Sequence, residues 1–270
     1  MSPTAGLSGE HRLRVEELHR ALSKPFTAET AAGVWGVDLG RARRLVRYLA
    51  DRGWLDRVHR GLYLTVPLDA HRSGEAHKDP WLIASAVFEP AYIAGWSAAE
   101  HWDLTEQIFR DVLVVTGRRP RDRGPTIGGT RFMVHTLGVD KHFGLQAVWR
   151  GSHRTDVTDP SRTIVDLLAN PSWGGGIRHT SEAVSEYFAS SRREDTLVLE
   201  YGDRLGNRSA FKRLGFLLEL FDIDAPNLVD ECLRRKSAGI NSLDPSVKAK
   251  GRTVSRWGLR LNVDLAPVLA

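Results

Sequence analysis

The chain contains one cysteine, two methionines and seven lysines in 270 residues. A lone thiol, Cys232, cannot form an intramolecular disulfide and cannot build a cysteine zinc site. It sits in the run LVDECLRR and is expected to be a small core residue. No apolar run approaches the roughly 18 residues that span a bilayer. The opening segment MSPTAGLSGEHRLR lacks the apolar stretch of a secretory signal. These absences predict a soluble, reduced, cytoplasmic protein. With eight tryptophans and 41% hydrophobic residues there is ample material for a packed core, in one large domain or two ordinary ones.

What is present is a local excess of positive charge. Residues 1–67 carry 11 Lys or Arg against 7 Asp or Glu, a net of +4, whereas the whole chain is +5. A positive field confined to one segment points to a polyanionic partner more directly than a uniformly high pI does. Arginine outnumbers lysine 31 to 7. Arginine suits bidentate contacts to phosphate and guanine, but genome base composition produces the same ratio, so the clustering is the signal.

The N-terminal third reads as helix, helix, helix, hairpin. A first helix is predicted near Glu10 to Leu22, with Leu13, Leu18 and Leu22 available for burial and Pro25 ending it. Thr27 is placed to cap a short second helix through Ala31 and Ala32, followed by a turn from Gly33 to Gly36. Asp38 is placed to cap the third. At about 100° per residue, Ala42, Leu45, Val46 and Leu49 share one side of that helix and Gly40, Arg43, Arg44 and Arg47 the other, with Arg41 and Tyr48 on the flanks. Gly53 stops it. Residues 54–58 and 62–66 then form two strands around the turn His59-Arg60-Gly61, with Arg57 and Arg60 at or beside its tip. An arginine-faced helix followed by a basic hairpin is the arrangement of a winged helix-turn-helix, which offers DNA a helix for the major groove and a wing for the neighbouring backbone. Tyr63 fits sheet packing better than base stacking.

Residues 68–79 are polar and read as a linker. His71 and His77 within it lack a third ligand, which argues against a metal. Residues 80–270 mix elements: a helix from Pro80 to Phe88, a strand near Tyr92, a short helix capped by Ser97, a strand at 111–116, a basic Gly/Pro-rich loop from Arg118 to Gly129, and strands at 130–136 and 144–150. Asp159 caps a helix with Pro160 in its first turn, and Arg162 and Asp166 are spaced to pair on its surface. Helices are expected at 176–189, 194–205, 209–221 and 227–235, and a last strand at 257–263. Strands followed by a run of helices indicate an α+β fold.

Taken together, FTAETAAGVWGVDLGRARRLVRYLADRGWLDRVHRGLYLTVP, YIAGWSAAEHWDL with DVLVV, TDPSRTIVDLL, and LDPSVKAKGRTVSRWGLRLNVDL resemble the AbiEi-type antitoxins of bacterial toxin–antitoxin systems, in order and over nearly the whole length. The resemblance implies a winged-helix domain (1–67) joined to a larger α+β antitoxin domain (80–270). It implies repression of the protein's own operon through inverted repeats in double-stranded promoter DNA, bound by two molecules, and countering of a nucleotidyltransferase-like toxin. It carries over Arg41, Arg43, Arg44, Arg47, Arg57 and Arg60 as DNA-reading positions, beside Gly40, which near the helix start lets the backbone approach a bound surface closely. The basic stretch with Lys248, Lys250 and Arg252 is open to two readings, phosphate contact or solvation.

Catalytic alternatives find little support. A nuclease of the restriction type needs an acidic residue two positions before a lysine, and none of the seven lysines has one. Gly174-Gly175-Gly176 lacks the Lys-Ser/Thr of a phosphate loop and reads as a turn. Ser152-His153 beside Asp156 is a coincidence of a loop unless geometry shows otherwise. Neither a metal nor an organic cofactor is indicated. A ligand-sensing regulator remains as a rival, with its pocket in the second domain.

Overall fold

A computed structural model of the protein describes residues 8–22, 24–59, 61–66, 79–150, 153–248 and 250–265. Residues 68–78 of the predicted linker, with its two histidines, therefore lie outside the described residues, as do Arg60 and Ser152, while Asp79 caps the helix that begins at Pro80. The chain forms two compact units woven from separate segments. The first contains Met1–Ile93, Arg110–Leu137 and Ala147–Asp156, and the second contains Ala94–Phe109, Gly138–Gln146 and Val157–Ala270. The architecture is mixed α+β.

The first unit opens with three helices, α1 (Gly9–Ala21), α2 (Ala28–Trp35) and α3 (Leu39–Asp51), and a small sheet. That sheet has strands β1 (Phe26–Thr27), β2 (Leu55–His59) and β3 (Leu62–Thr65) in the order β1-β3-β2. One apolar cluster holds it together, with Val15, Leu18, Phe26, Ala31, Trp35, Ala42, Val46, Leu49 and Leu55 all buried. The Trp35 indole satisfies its N–H by donating to the Arg14 carbonyl at 3.0 Å. Two local expectations change. Leu18 is buried as expected, but Leu13 is 58% exposed, because α1 turns Val15 inward in its place. The turn expected at Gly33 begins only at Gly36, which adopts φ +62° and closes α2; Gly33 stays helical.

The rest of this unit is built on helix α4 (Pro80–Val87) and a six-stranded sheet. The sheet comprises β4 (Ala91–Ile93), β5 (Val112–Thr116), β6 (Thr126–Ile127), β7 (Thr130–Thr136), β8 (Leu145–Arg150) and β9 (His153–Thr158), in the order β6-β7-β5-β4-β9-β8. β5 is buried along its whole length, as its unbroken apolar run requires, and pairs parallel with β7 and antiparallel with β4. β9 reads poorly in sequence because its residues, HRTDVT, are mostly polar.

The second unit is mainly helical: α5 (Gly95–His101), α6 (Pro160–Ala169), α7 (Ile177–Ala189), α8 (Asp195–Leu205), α9 (Ser209–Leu220) and α10 (Pro226–Arg235). A three-stranded sheet of β10 (Asn241–Ser242), β12 (Leu259–Leu261) and β11 (Arg252–Val254) follows, where sequence alone suggested one strand. Ser97 does not cap α5 but is buried inside it. Asp159 does cap α6, accepting from the Arg162 amide at 2.8 Å.

The pair expected on the surface of α6 is a correction of another kind. Arg162 Nε donates to Asp166 Oδ1 at 2.8 Å with both side chains wholly buried. Helix α6 is covered on every side, so the two charges, four residues apart, face each other inside the fold. Arg162 also donates to the carbonyls of Lys141 and Phe143. Two more buried cations, Lys212 and Arg213 on α9, fasten the C-terminal segment. Lys212 donates to Gly239 O and Asn241 Oδ1, and Arg213 to Leu168 O and Leu243 O.

Candidate nucleic-acid interface

Helix α3 is the centre of the basic surface, and its start is firmly set. Asp38 Oδ1 accepts the Arg41 amide at 2.9 Å, and that bond holds the Asp38 carboxyl below the ordinary carboxylate range, helped by the Arg44 charge. Gly40 is exposed in the first turn, and a Cβ there would approach Asp38 Oδ1 at 3.1 Å, crowding the cap. Ala42, Val46 and Leu49 are completely buried. Arg41, Arg43, Arg44 and Arg47 are all exposed, so the helix divides its faces as the periodicity indicates.

The arginines divide between two sides of α3. Arg43 and Arg47 line a cleft of about 380 Å³ together with Arg57 and Tyr63 of the wing, Thr27 at the N-cap of α2 and Glu29 in its first turn. Arg44 faces a second hollow of about 340 Å³ that runs along α3 with Arg43, Arg47, Tyr48 and Asp51. Arg41 lies toward α1, where Glu10 is 4.0 Å away, close to the limit for an ion pair. Among the described residues Arg43, Arg44, Arg47 and Arg57 take part in no ion pair.

The first cleft has a third contributor. Thr27 Oγ1 accepts from the Thr30 amide at 3.3 Å, so the capped start of α2, the positive end of its dipole, forms part of the cleft wall. Glu29 supplies the opposing charge. Three guanidinium groups, a helix start and a tyrosine against one carboxylate give the cleft a net positive lining. Sequence reading named the three arginines but not Thr27 or Tyr63 as neighbours. Tyr63 could have been found from the hairpin register, which sets it directly across from Arg57.

The remaining candidates separate from this cluster. Arg60 and the His59 side chain fall outside the described residues. Lys248, Lys250 and Arg252 belong to the second unit, where all three are exposed. The first unit contains 21 Lys and Arg against 14 Asp and Glu, a net of +7, and the second 17 against 19, a net of −2. The positive excess of the chain therefore belongs wholly to the unit that carries the winged helix.

Signals for other chemistry are weak. Among the described residues no group of three His, Cys, Asp or Glu is placed to hold a metal. Asp156 is engaged by Arg154 at 2.8 Å. Gly175 and Gly176 turn the chain into α7, and the Ile177 amide at its start donates to Asp244 Oδ2 at 2.8 Å, so a carboxylate of the chain already fills that helix terminus. The hollow of about 450 Å³ beside it is lined by polar groups bonded to one another: Asp244 also accepts from Ser246, and Asn262 donates to Asp244 O and Val247 O. No helix among the described residues is long and apolar enough to cross a membrane.

Comparison with known proteins agrees with this geometry. Residues 13–66, which contain most of α1, all of α2 and α3, and the wing, match the family model described as "Transcriptional regulator, AbiEi antitoxin". No curated protein matches the chain in sequence. In fold the chain is similar to the crystal structure of the RV2827C protein from Mycobacterium tuberculosis, with a TM-score of 0.56 and 16% identity, covering 96% of this chain and 93% of that one.

Proposed function

From the AbiEi match over residues 13–66, we propose that this protein is a DNA-binding antitoxin that represses its own operon and counters a nucleotidyltransferase-like toxin. The observation that carries the DNA-binding part is the cleft in which Arg43, Arg47 and Arg57, none of them in an ion pair among the described residues, converge on the start of α2. A strand of phosphates satisfies those groups, while Arg44 on the outer face of α3 is left to meet base edges in the major groove. Two molecules on paired half-sites are expected to cover an inverted repeat. Lys248, Lys250 and Arg252 are proposed as auxiliary phosphate contacts, subordinate to α3. Nothing in the chemistry of the site calls for catalysis, and the protein acts by binding.

The test is a titration of the duplex immediately upstream of the gene with wild-type protein and with the triple variant Arg43→Ala, Arg44→Ala, Arg47→Ala. The variant should bind far more weakly and show a flatter dependence on salt, by up to about 0.9 in slope for each phosphate that is no longer neutralised. Wild-type binding by the triple variant would remove the assigned surface. Co-expression with a toxin encoded alongside, scored by growth, tests the antitoxin half separately.

A further inference from the structure

We infer that a second arginine surface, the arm from Gly117 to Arg131 between β5 and β7, binds the phosphate backbone of the same duplex beyond the stretch held by α3 and the wing; this rests on the DNA-binding reading above. The arm contains Arg118, Arg119, Arg121, Arg123 and Arg131 against one acidic residue, Asp122, a net of +4 in 15 residues. That equals the net charge of residues 1–67, and with the chain at +5 everything outside these two segments sums to −3. Positive charge is thus concentrated in two places, both in the first unit.

All five arginines are exposed or half-buried at the surface. Among the described residues Arg118, Arg119, Arg121 and Arg123 take part in no ion pair, and Arg131 has only Asp111 at 3.7 Å. Asp122, the one carboxylate of the arm, makes no ion pair with them among the described residues, and its Oδ1 accepts the Gly124 amide at 2.9 Å. Five guanidinium groups against one carboxylate of the arm repel one another on balance, and a polyanion relieves that repulsion.

The arm is also held in shape. The amides of Phe132 and Val134 on β7 donate to Pro125 O and Arg123 O, both at 2.9 Å, and the Leu137 amide reaches Thr116 O at 3.1 Å. At the other end Gly128 and Gly129, at φ +60° and +86°, close the β6–β7 hairpin in the two-residue turn that needs positive φ at both positions. A backbone ordered before binding presents its charges without the entropic cost of loop ordering at the moment of contact. Arginine gives no reading of sequence through phosphate, so the arm adds affinity and footprint, not specificity.

The experiment compares wild-type protein with two quartets at Arg118, Arg119, Arg121 and Arg123, all to Ala or all to Lys. Each is titrated with the long upstream duplex and with a short duplex holding one half-site. The Ala quartet should bind the long duplex more weakly, with a salt slope smaller by up to about 3.6, while the Lys quartet retains the wild-type slope and the short duplex binds all three proteins alike. Wild-type affinity and slope for the Ala quartet on the long duplex would overturn the inference. If that quartet instead failed only to neutralise the toxin, the arm would be a protein contact and the inference would fall. The triple variant of α3 separates the two levels: if it loses binding while the Ala quartet keeps it, the winged-helix reading stands and only the arm is refuted. If wild-type protein binds neither duplex, both fall.

Discussion

Arg57 and Tyr63 stand directly opposite each other across the β2–β3 ladder, and both open onto the cleft lined by Arg43 and Arg47. The hairpin therefore does more than extend a basic loop. Tyr63 also meets Phe26 on its other side, at 6.5 Å between ring centroids, so its ring is buttressed by the core-side strand β1. Arg57 thus has a braced ring as its cross-strand neighbour, while its own side chain is exposed.

This geometry predicts that Arg57 contacts phosphate and not bases. Arg57→Ala should weaken binding by a similar factor on specific and unrelated duplexes and reduce the salt slope by about 0.9, whereas Arg57→Lys keeps the slope. Fluorescence anisotropy over a salt series checks both. A loss confined to one base position would reassign Arg57 to base reading.

The buried pair of α6 makes a stability prediction. Removing one partner leaves an uncompensated charge inside the unit, so Asp166→Ala should cost about 3–5 kcal/mol in denaturant unfolding. A surface pair, as its spacing suggested, would cost under about 1 kcal/mol.

The same residue predicts a pH dependence. Burial pushes the Asp166 carboxyl up to about 6 from the ordinary 3.8, against the opposing pull of Arg162. One of its oxygens has no hydrogen-bond partner among the described residues. A carboxyl whose folded pKa is raised holds its proton more tightly when folded. Its contribution to stability is greatest below about pH 4, declines as pH rises to about 6, and is level above that. Stability curves of wild type and Asp166→Asn between pH 4 and 7 should therefore differ by an amount that changes with pH. A constant offset would count against it.

Cys232 is fully buried, and burial pushes its thiol up to about 12. It should react with a thiol reagent only at the rate of unfolding at pH 8 and completely in denaturant. Rapid labelling of native protein would contradict the placement of α10.

Gly215, within α9, faces the buried ring of Trp257, whose indole N–H donates to Glu219 at 2.6 Å. A Cβ at position 215 would overlap that ring. Gly→Ala within a helix ordinarily stabilises by up to about 1 kcal/mol. Here the overlap should outweigh it, and Gly215→Ala should lower the melting temperature through an overpacking cost of about 1–3 kcal/mol.

Much of the winged helix was legible before any coordinates. The alternation of Ala42, Val46 and Leu49 with Arg43, Arg44 and Arg47 has the period of a helix with one wet face, and Thr27 and Asp38 mark the starts of α2 and α3 by local chemistry. These signals are local, and local signals survive in sequence. Elsewhere they failed for identifiable reasons. β9 is polar on most positions and has no apolar alternation to announce it. Ser97 is a good cap by type but sits inside α5. Arg162 and Asp166 have the spacing of any solvated ion pair.

Chain composition and periodicity by themselves determined which residues carry positive charge and which helix face they share. Both depend on covalent order and on the 3.6-residue turn. Only the tertiary structure decided which charges are available. It buried Arg162, Lys212 and Arg213 among carbonyls and a carboxylate, where they fasten the fold, and it left Arg43, Arg47 and Arg57 converging on one cleft. An arginine's sequence neighbourhood does not say whether its counter-charge comes from a distant segment, from water or from another molecule; that is set by what packs against it.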